Sequence, residues 1–202
     1  MGKVLENLNH TLIAGLALLA VMILVMLVWH GANVLALDHA WGAFLFRWLH
    51  VVSGVMWIGL LWYFNFVQIP SMPKIPDEQK PAIVKVIAPA VLFWFRWAAL
   101  ATLVTGLMLA FVNGYLIDAI LIGLTDGSEK STGIGIGMWL GAIMAFNVWM
   151  VIWPNQKKAL GIVEASPDDK KKAGRTAMLF SRTNTALSIP MLYAMVSAQN
   201  LY

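Results

Sequence analysis

The chain has 202 residues, 60% of them hydrophobic and only 12% charged, with a net charge of +4 and a mean hydropathy of +0.74. A soluble domain carries roughly a quarter charged residues, so this composition argues against a soluble enzyme, a disordered tail and a nucleic-acid-binding domain, and for a chain embedded in a bilayer. The absence of cysteine excludes disulfides, thiolate zinc sites, iron–sulfur clusters and a covalently attached c-type haem, so any metal or haem would need His, Met, Tyr or carboxylate ligands.

A membrane-crossing helix needs about 20 mostly apolar residues. Five stretches of the chain meet that length, and they predict an all-α integral membrane protein, a single transmembrane domain built as a five-helix bundle. The spans fall at approximately 11–30, 44–69, 87–113, 132–154 and 177–199. The first is too long for the apolar core of a signal peptide and no small-residue cleavage site clearly follows it. The run Tyr115–Leu124 is too short to cross and reads as a re-entrant or interfacial piece. Pro70, Pro73 and Pro76 punctuate the second loop, Asp126–Gly127 and Gly133 mark the third, and Ser166–Pro167–Asp168 has the form of a helix start.

Basic residues set the expected orientation. With the N-terminus inside, the inner face holds Lys3, Lys74, Lys80, Lys85, Lys157, Lys158, Lys170, Lys171, Lys172 and Arg175, ten in all, and the outer face only Arg47 and Lys130. That bias predicts a cytoplasmic N-terminus and an external C-terminus in a bacterial-type inner membrane. The Lys170–Lys172 run reads as a solvated loop face near anionic headgroups.

Polar groups within spans are costly and invite explanation. On the second span His50, Gly54, Trp57, Leu61, Asn65 and Gln68 recur at helical spacing and form one stripe that faces other helices. His50 is either an axial ligand of a b-type haem, with Gly54 one turn on admitting the flat macrocycle, or a histidine hydrogen-bonded to a neighbouring helix. His30, at the end of the first span, is the candidate second ligand; His39 and His10 read as interfacial and helix-end residues. Arg96 lies well inside the third span. With Asn65, Asn147, Arg182 and Asn184 it places guanidinium and amide groups from four helices at one level, without a carboxylate in any span there. Such a set is either a pocket for a planar polar or anionic ligand, such as a purine, a quinone headgroup or a haem propionate, or interhelical glue. Gly133, Gly137 and Gly141 form a small-residue ridge for close helix packing. Pro190 predicts a kink that Ser188 helps to accommodate.

Three ordered blocks resemble one family. Arg47-Trp48-Leu49-His50-Val51-Val52-Ser53-Gly54-Val55-Met56-Trp57-Ile58-Gly59 is similar to the opening signature of the membrane-bound urate oxidase (urate hydroxylase) N-terminal domain family. Asn147-Val148-Trp149 with Ile152-Trp153-Pro154-Asn155-Gln156-Lys157 resembles its fourth-helix motif, and Ser181-Arg182-Thr183-Asn184-Thr185 with Ser188-Ile189-Pro190-Met191 its next helix. The resemblance implies a multi-helix membrane domain linked to urate oxidation, with electrons passed to a cytochrome c. In the family further helices and a C-terminal cytochrome c domain typically follow. Here the sequence ends after the fifth span and has no cysteine, so the expectation is a short form whose electrons leave through a separate cytochrome c or other membrane subunit. Three functions follow in order: a redox protein binding haem b through His50, a non-catalytic accessory subunit of a larger membrane complex, and a purine or anion transporter.

Overall fold

A computed structural model describes residues 2–202, and the side chains of all of these except 2, 3, 32 and 33; Lys3, counted above among the inner cations, therefore has its side chain outside the described residues. No strand occurs among the described residues. Five long helices carry the chain: α1 (Leu8–His30), α2 (His39–Lys74), α3 (Lys80–Val112), α4 (Glu129–Ala159) and α5 (Pro167–Asn200). The first four are long and apolar enough to cross a membrane. The fifth is as long, 34 residues, but mixes Lys, Asp, Asn, Ser and Thr with its apolar residues.

The chain divides into two compact units, one ending at Phe44 and one covering Leu45–Tyr202. The first contains α1, whose start is capped by Asn7, with Oδ1 accepting from the N–H groups of Asn9 and His10. No residue of α1 is buried, as suits a helix apolar on every side.

The second unit is an up-down-up-down four-helix bundle, and its cross-helix contacts fix the order around the ring. His50 on α2 meets Thr102 on α3, and Phe64 meets Phe95. Arg96 and Trp97 of α3 meet Trp153 and Trp149 of α4. Asn147 of α4 meets Asn184 of α5, and Gly137 faces Met195. The ring closes where Trp62 and Asn65 of α2 reach Ser188 and Ser181 of α5. In each pair the numbers run in opposite senses, so neighbours are antiparallel, as short connections require. The core is Trp57, Leu61, Phe64, Leu92, Phe95, Met144, Val148 and Met191.

Three of these helices contain a π-helical segment, and all three segments follow one rule. Tyr63–Gln68, Ile83–Ile87 and Asn147–Ile152 are each closed by the N–H of the next residue (Ile69, Ala88, Trp153) bonding the carbonyl five back, and a proline follows immediately (Pro70, Pro89, Pro154). Proline offers no N–H and its ring collides with the carbonyl four residues earlier, so the α ladder opens just before it. Pro190 behaves differently. Helix α5 stays α-helical through it, while the Ser188 hydroxyl donates to Thr185 O at 2.7 Å.

The stretch between α3 and α4 contains a short helix, Leu116–Ile120, laid against α4. A Cβ at Gly135 would overlap the Ala119 carbonyl oxygen, so only glycine allows this approach. Trp139 Nε1 donates to Ile120 O at 3.0 Å and Thr132 Oγ1 to Ile122 O at 3.2 Å. These bonds hold Ile122 at φ 55°, a left-handed conformation that β-branched residues rarely adopt. The segment expected to be re-entrant or interfacial is thus a helical turn packed on the α4 start.

Candidate functional site

His50 is half-buried at the α2–α3 contact. Its Nδ1 lies 2.9 Å from the Thr102 carbonyl oxygen, a carbonyl that can only accept, so Nδ1 carries a proton and in the neutral ring Nε2 keeps its lone pair. The imidazole lies against Gly106, where a Cβ would sit 2.8 Å from Cε1 and 3.0 Å from Nδ1. Gly54 faces the same helix: a Cβ there would lie 3.9 Å from Thr102 Cγ2. Thr102 and Gly106, one turn apart on α3, thus seat the histidine and the glycine of the α2 stripe. His30 closes α1 in the first unit and is exposed. Among the described residues no three His, Asp or Glu side chains converge.

The five residues expected at one polar level divide into separate arrangements. Asn147 and Asn184 form a buried amide pair: Asn147 Nδ2 donates to Asn184 Oδ1 at 2.8 Å, and Asn184 Nδ2 to Met144 O at 2.8 Å. Asn184 is 0% exposed. Asn65 Nδ2 donates to Leu61 O at 2.9 Å and to Ser181 Oγ at 2.8 Å. Arg182 is exposed. Arg96 lies over Trp153, its guanidinium carbon 3.9 Å from the ring centroid.

Among the described residues, four buried side-chain polar atoms have no protein partner: Trp57 Nε1, Asn65 Oδ1, Gln68 Oε1 and Trp149 Nε1. Three belong to π segments, where the ladder is already irregular. Residues absent from the sequence reading of the site are Thr102, Gly106, Ser181 and Ser188. Thr102 and Gly106 are a small-residue pair at helical spacing, and nothing in the sequence links that pair to His50.

Residues 126–201 match the family model described as urate oxidase N-terminal. This part of the chain is similar to that family. The matched stretch covers α4, α5 and the loop between them, hence the Asn147–Asn184 pair, Trp153–Pro154 and Ser181–Pro190. The His50 block lies N-terminal to it. No match was found among curated proteins or among solved structures.

Proposed function

We propose that this chain is a five-span membrane protein of bacterial-type inner membranes, N-terminus inside and C-terminus outside, that takes part in redox chemistry of the urate oxidase type. The orientation is supported by the cations at one end of the second unit, Lys74, Lys80, Lys157, Lys158 and Lys170–Lys172. The fifth span is supported by the way α5 buries its polar residues. Ala177, Ser181, Asn184, Ser188, Met191 and Ala198 are all buried, leaving Leu179, Phe180, Ile189, Tyr193 and Val196 on the exposed side together with Arg182 and Thr183.

The observation that carries the redox reading is the setting of His50. A histidine whose Nδ1–H is held by a backbone carbonyl, with Nε2 free, is arranged as iron-ligating histidines usually are. That donor chemistry fits a b-type haem, which when bound would supply one-electron transfer. His50 would hold the iron, Thr102 would fix the ring orientation and tautomer, and Gly106 would keep the imidazole against α3. Electrons would pass to a separate cytochrome. An oxidised-minus-reduced spectrum of the purified chain, with haem measured per polypeptide, tests this. A stoichiometric b-type signal lost in His50→Ala is expected; a colourless protein, or full haem retention in that variant, overturns it.

The buried amides favour a second reading, an accessory membrane subunit. Asn147, Asn184, Asn65 and Ser181 all bond one another or backbone across helices, which is helix-to-helix adhesion. Native mass spectrometry after mild solubilisation distinguishes the two: a stable complex with another membrane protein and no haem supports the subunit.

A further inference from the structure

Arg96 and Lys157 share one aromatic ring and have no acid between them. The Arg96 guanidinium carbon lies 3.9 Å from the Trp153 ring centroid and Lys157 Nζ lies 5.6 Å from the same centroid. The two cations are therefore within about one Debye length, about 10 Å, of each other. Among the described residues no carboxylate is within ion-pair distance of either, the sole such pair being exposed Lys80 with Asp77. Both side chains are half-buried. A ring face attracts a cation, but it leaves unanswered the mutual repulsion of two, and the guanidinium's planar fork of donors has no oxygen to meet.

The register of the helices places this cluster at the bundle's basic end. Trp153 is six residues from the end of α4 at Ala159, about 9 Å at 1.5 Å per residue. Lys158 and the Lys170–Lys172 run follow just beyond. On α3, Phe93 and Trp94 precede Arg96 and Trp97 follows it, and all three are exposed, at 44%, 57% and 46%. A cationic end beside a strip of exposed aromatics has the polarity of an amphiphile lying along the helix.

We propose that Arg96, Lys157 and Trp153 form a site for the phosphate of an anionic phospholipid, with its acyl chains along the Phe93–Trp97 surface of α3. The phosphate oxygens would take the Arg96 fork and the Lys157 ammonium, and would relieve the repulsion between them. The site makes no use of His50, so a negative haem result leaves it standing.

The test is native mass spectrometry of the detergent-purified full chain with phosphatidylglycerol, phosphatidylcholine or inorganic phosphate added separately. Preferential retention of phosphatidylglycerol is expected. Lys157→Gln should lower it about fivefold, the effect of one interfacial cation, Arg96→Gln at least as much, and Lys158→Gln not at all. Equal retention of the two lipids overturns the proposal, as does unchanged phosphatidylglycerol binding in Lys157→Gln, a substitution near a helix end that reads the site even where Arg96→Gln fails to fold. Inorganic phosphate displacing the lipid completely, and binding with the same dependence on Lys157, overturns the lipid assignment in favour of a soluble phosphate ligand.

Discussion

The amide pair Asn147–Asn184 shows how two polar residues hold packed helices together. Lipid offers no hydrogen-bond partner, so an amide that loses its mate has nowhere else to turn. Even so, such bonds measure modestly, because the unfolded reference state in a membrane finds partners too. Asn184→Ala should therefore cost about 1–2 kcal/mol, the lost bonds together with the unpaired Asn147 amide. Thermal unfolding in detergent, with Asn147→Ala and the double variant to isolate the coupling, measures it. At the other end, the Asp126 carboxylate accepts from the Ser131 hydroxyl and the Ser128 N–H, which hold its pKa below the ordinary carboxylate value. A lowered folded-state pKa stabilises the fold above the unfolded value near 3.9, and that contribution fades as pH falls through the folded value. Protection factors at residues 123–132, the exchange rates corrected for the intrinsic rate at each pH, should fall on acidification below about pH 4 in the wild type, and Asp126→Asn should flatten that response. Tyr115 is shifted the other way: its partly buried hydroxyl is raised above the usual phenol value by desolvation, opposed by the charge of Arg47.

At the scale of elements, close packing depends on where side chains are missing. Gly135 lets the Leu116–Ile120 turn lie on α4, and Gly133 and Gly137 let α5 approach from another side, where a Cβ would meet Ala198 at 3.3 Å and Met195 at 3.0 Å. The two contacts differ in compliance. A methionine can swing its tip aside, whereas a carbonyl fixed in a helical turn cannot. Gly135→Ala should therefore destabilise the protein by about 1–3 kcal/mol and Gly137→Ala by less, as overpacking against rigid and flexible neighbours differs. Melting temperatures of the two variants in one detergent compare them. Gly106 packs against a side chain in the same way: in Gly106→Ala the imidazole of His50 must move. The histidine's proton and carbon NMR shifts should change while the far Asn147–Asn184 pair keeps its resonances.

For the whole molecule, the absence of cysteine makes topology directly measurable. Single cysteines at Glu78 and Glu164 should react with an impermeant maleimide only from the inner side, and one at Gly127 only from the outer side. The opposite pattern would reverse the orientation drawn from the lysines. Labelling of a cysteine at Gln199 from outside tests the fifth span separately. In α5, Ser181, Asn184 and Ser188 lie on the face turned to α4 and α2, so a sum along the sequence counts groups that the bundle buries, while Arg182 and Thr183 are exposed.

The all-helical character and the four helices apolar enough to cross a membrane were legible in the sequence, because lipid imposes long apolar runs. The kink expected at Pro190 does not open the ladder, whereas the three π segments before Pro70, Pro89 and Pro154 were not anticipated. Partnership was not legible. Asn65, Asn147, Arg96, Arg182 and Asn184 share a level by residue count alone, and rise along a helix says nothing of rotation about it. Only the packed bundle decides that Asn147 meets Asn184, that Asn65 meets Ser181, that Arg96 lies over Trp153 and that Arg182 is exposed. The same holds for His50, whose place on a buried stripe followed from periodicity. Its bond to Thr102 and its seat on Gly106 depend on the register of α2 against α3, a quantity set by side chains on both helices at once.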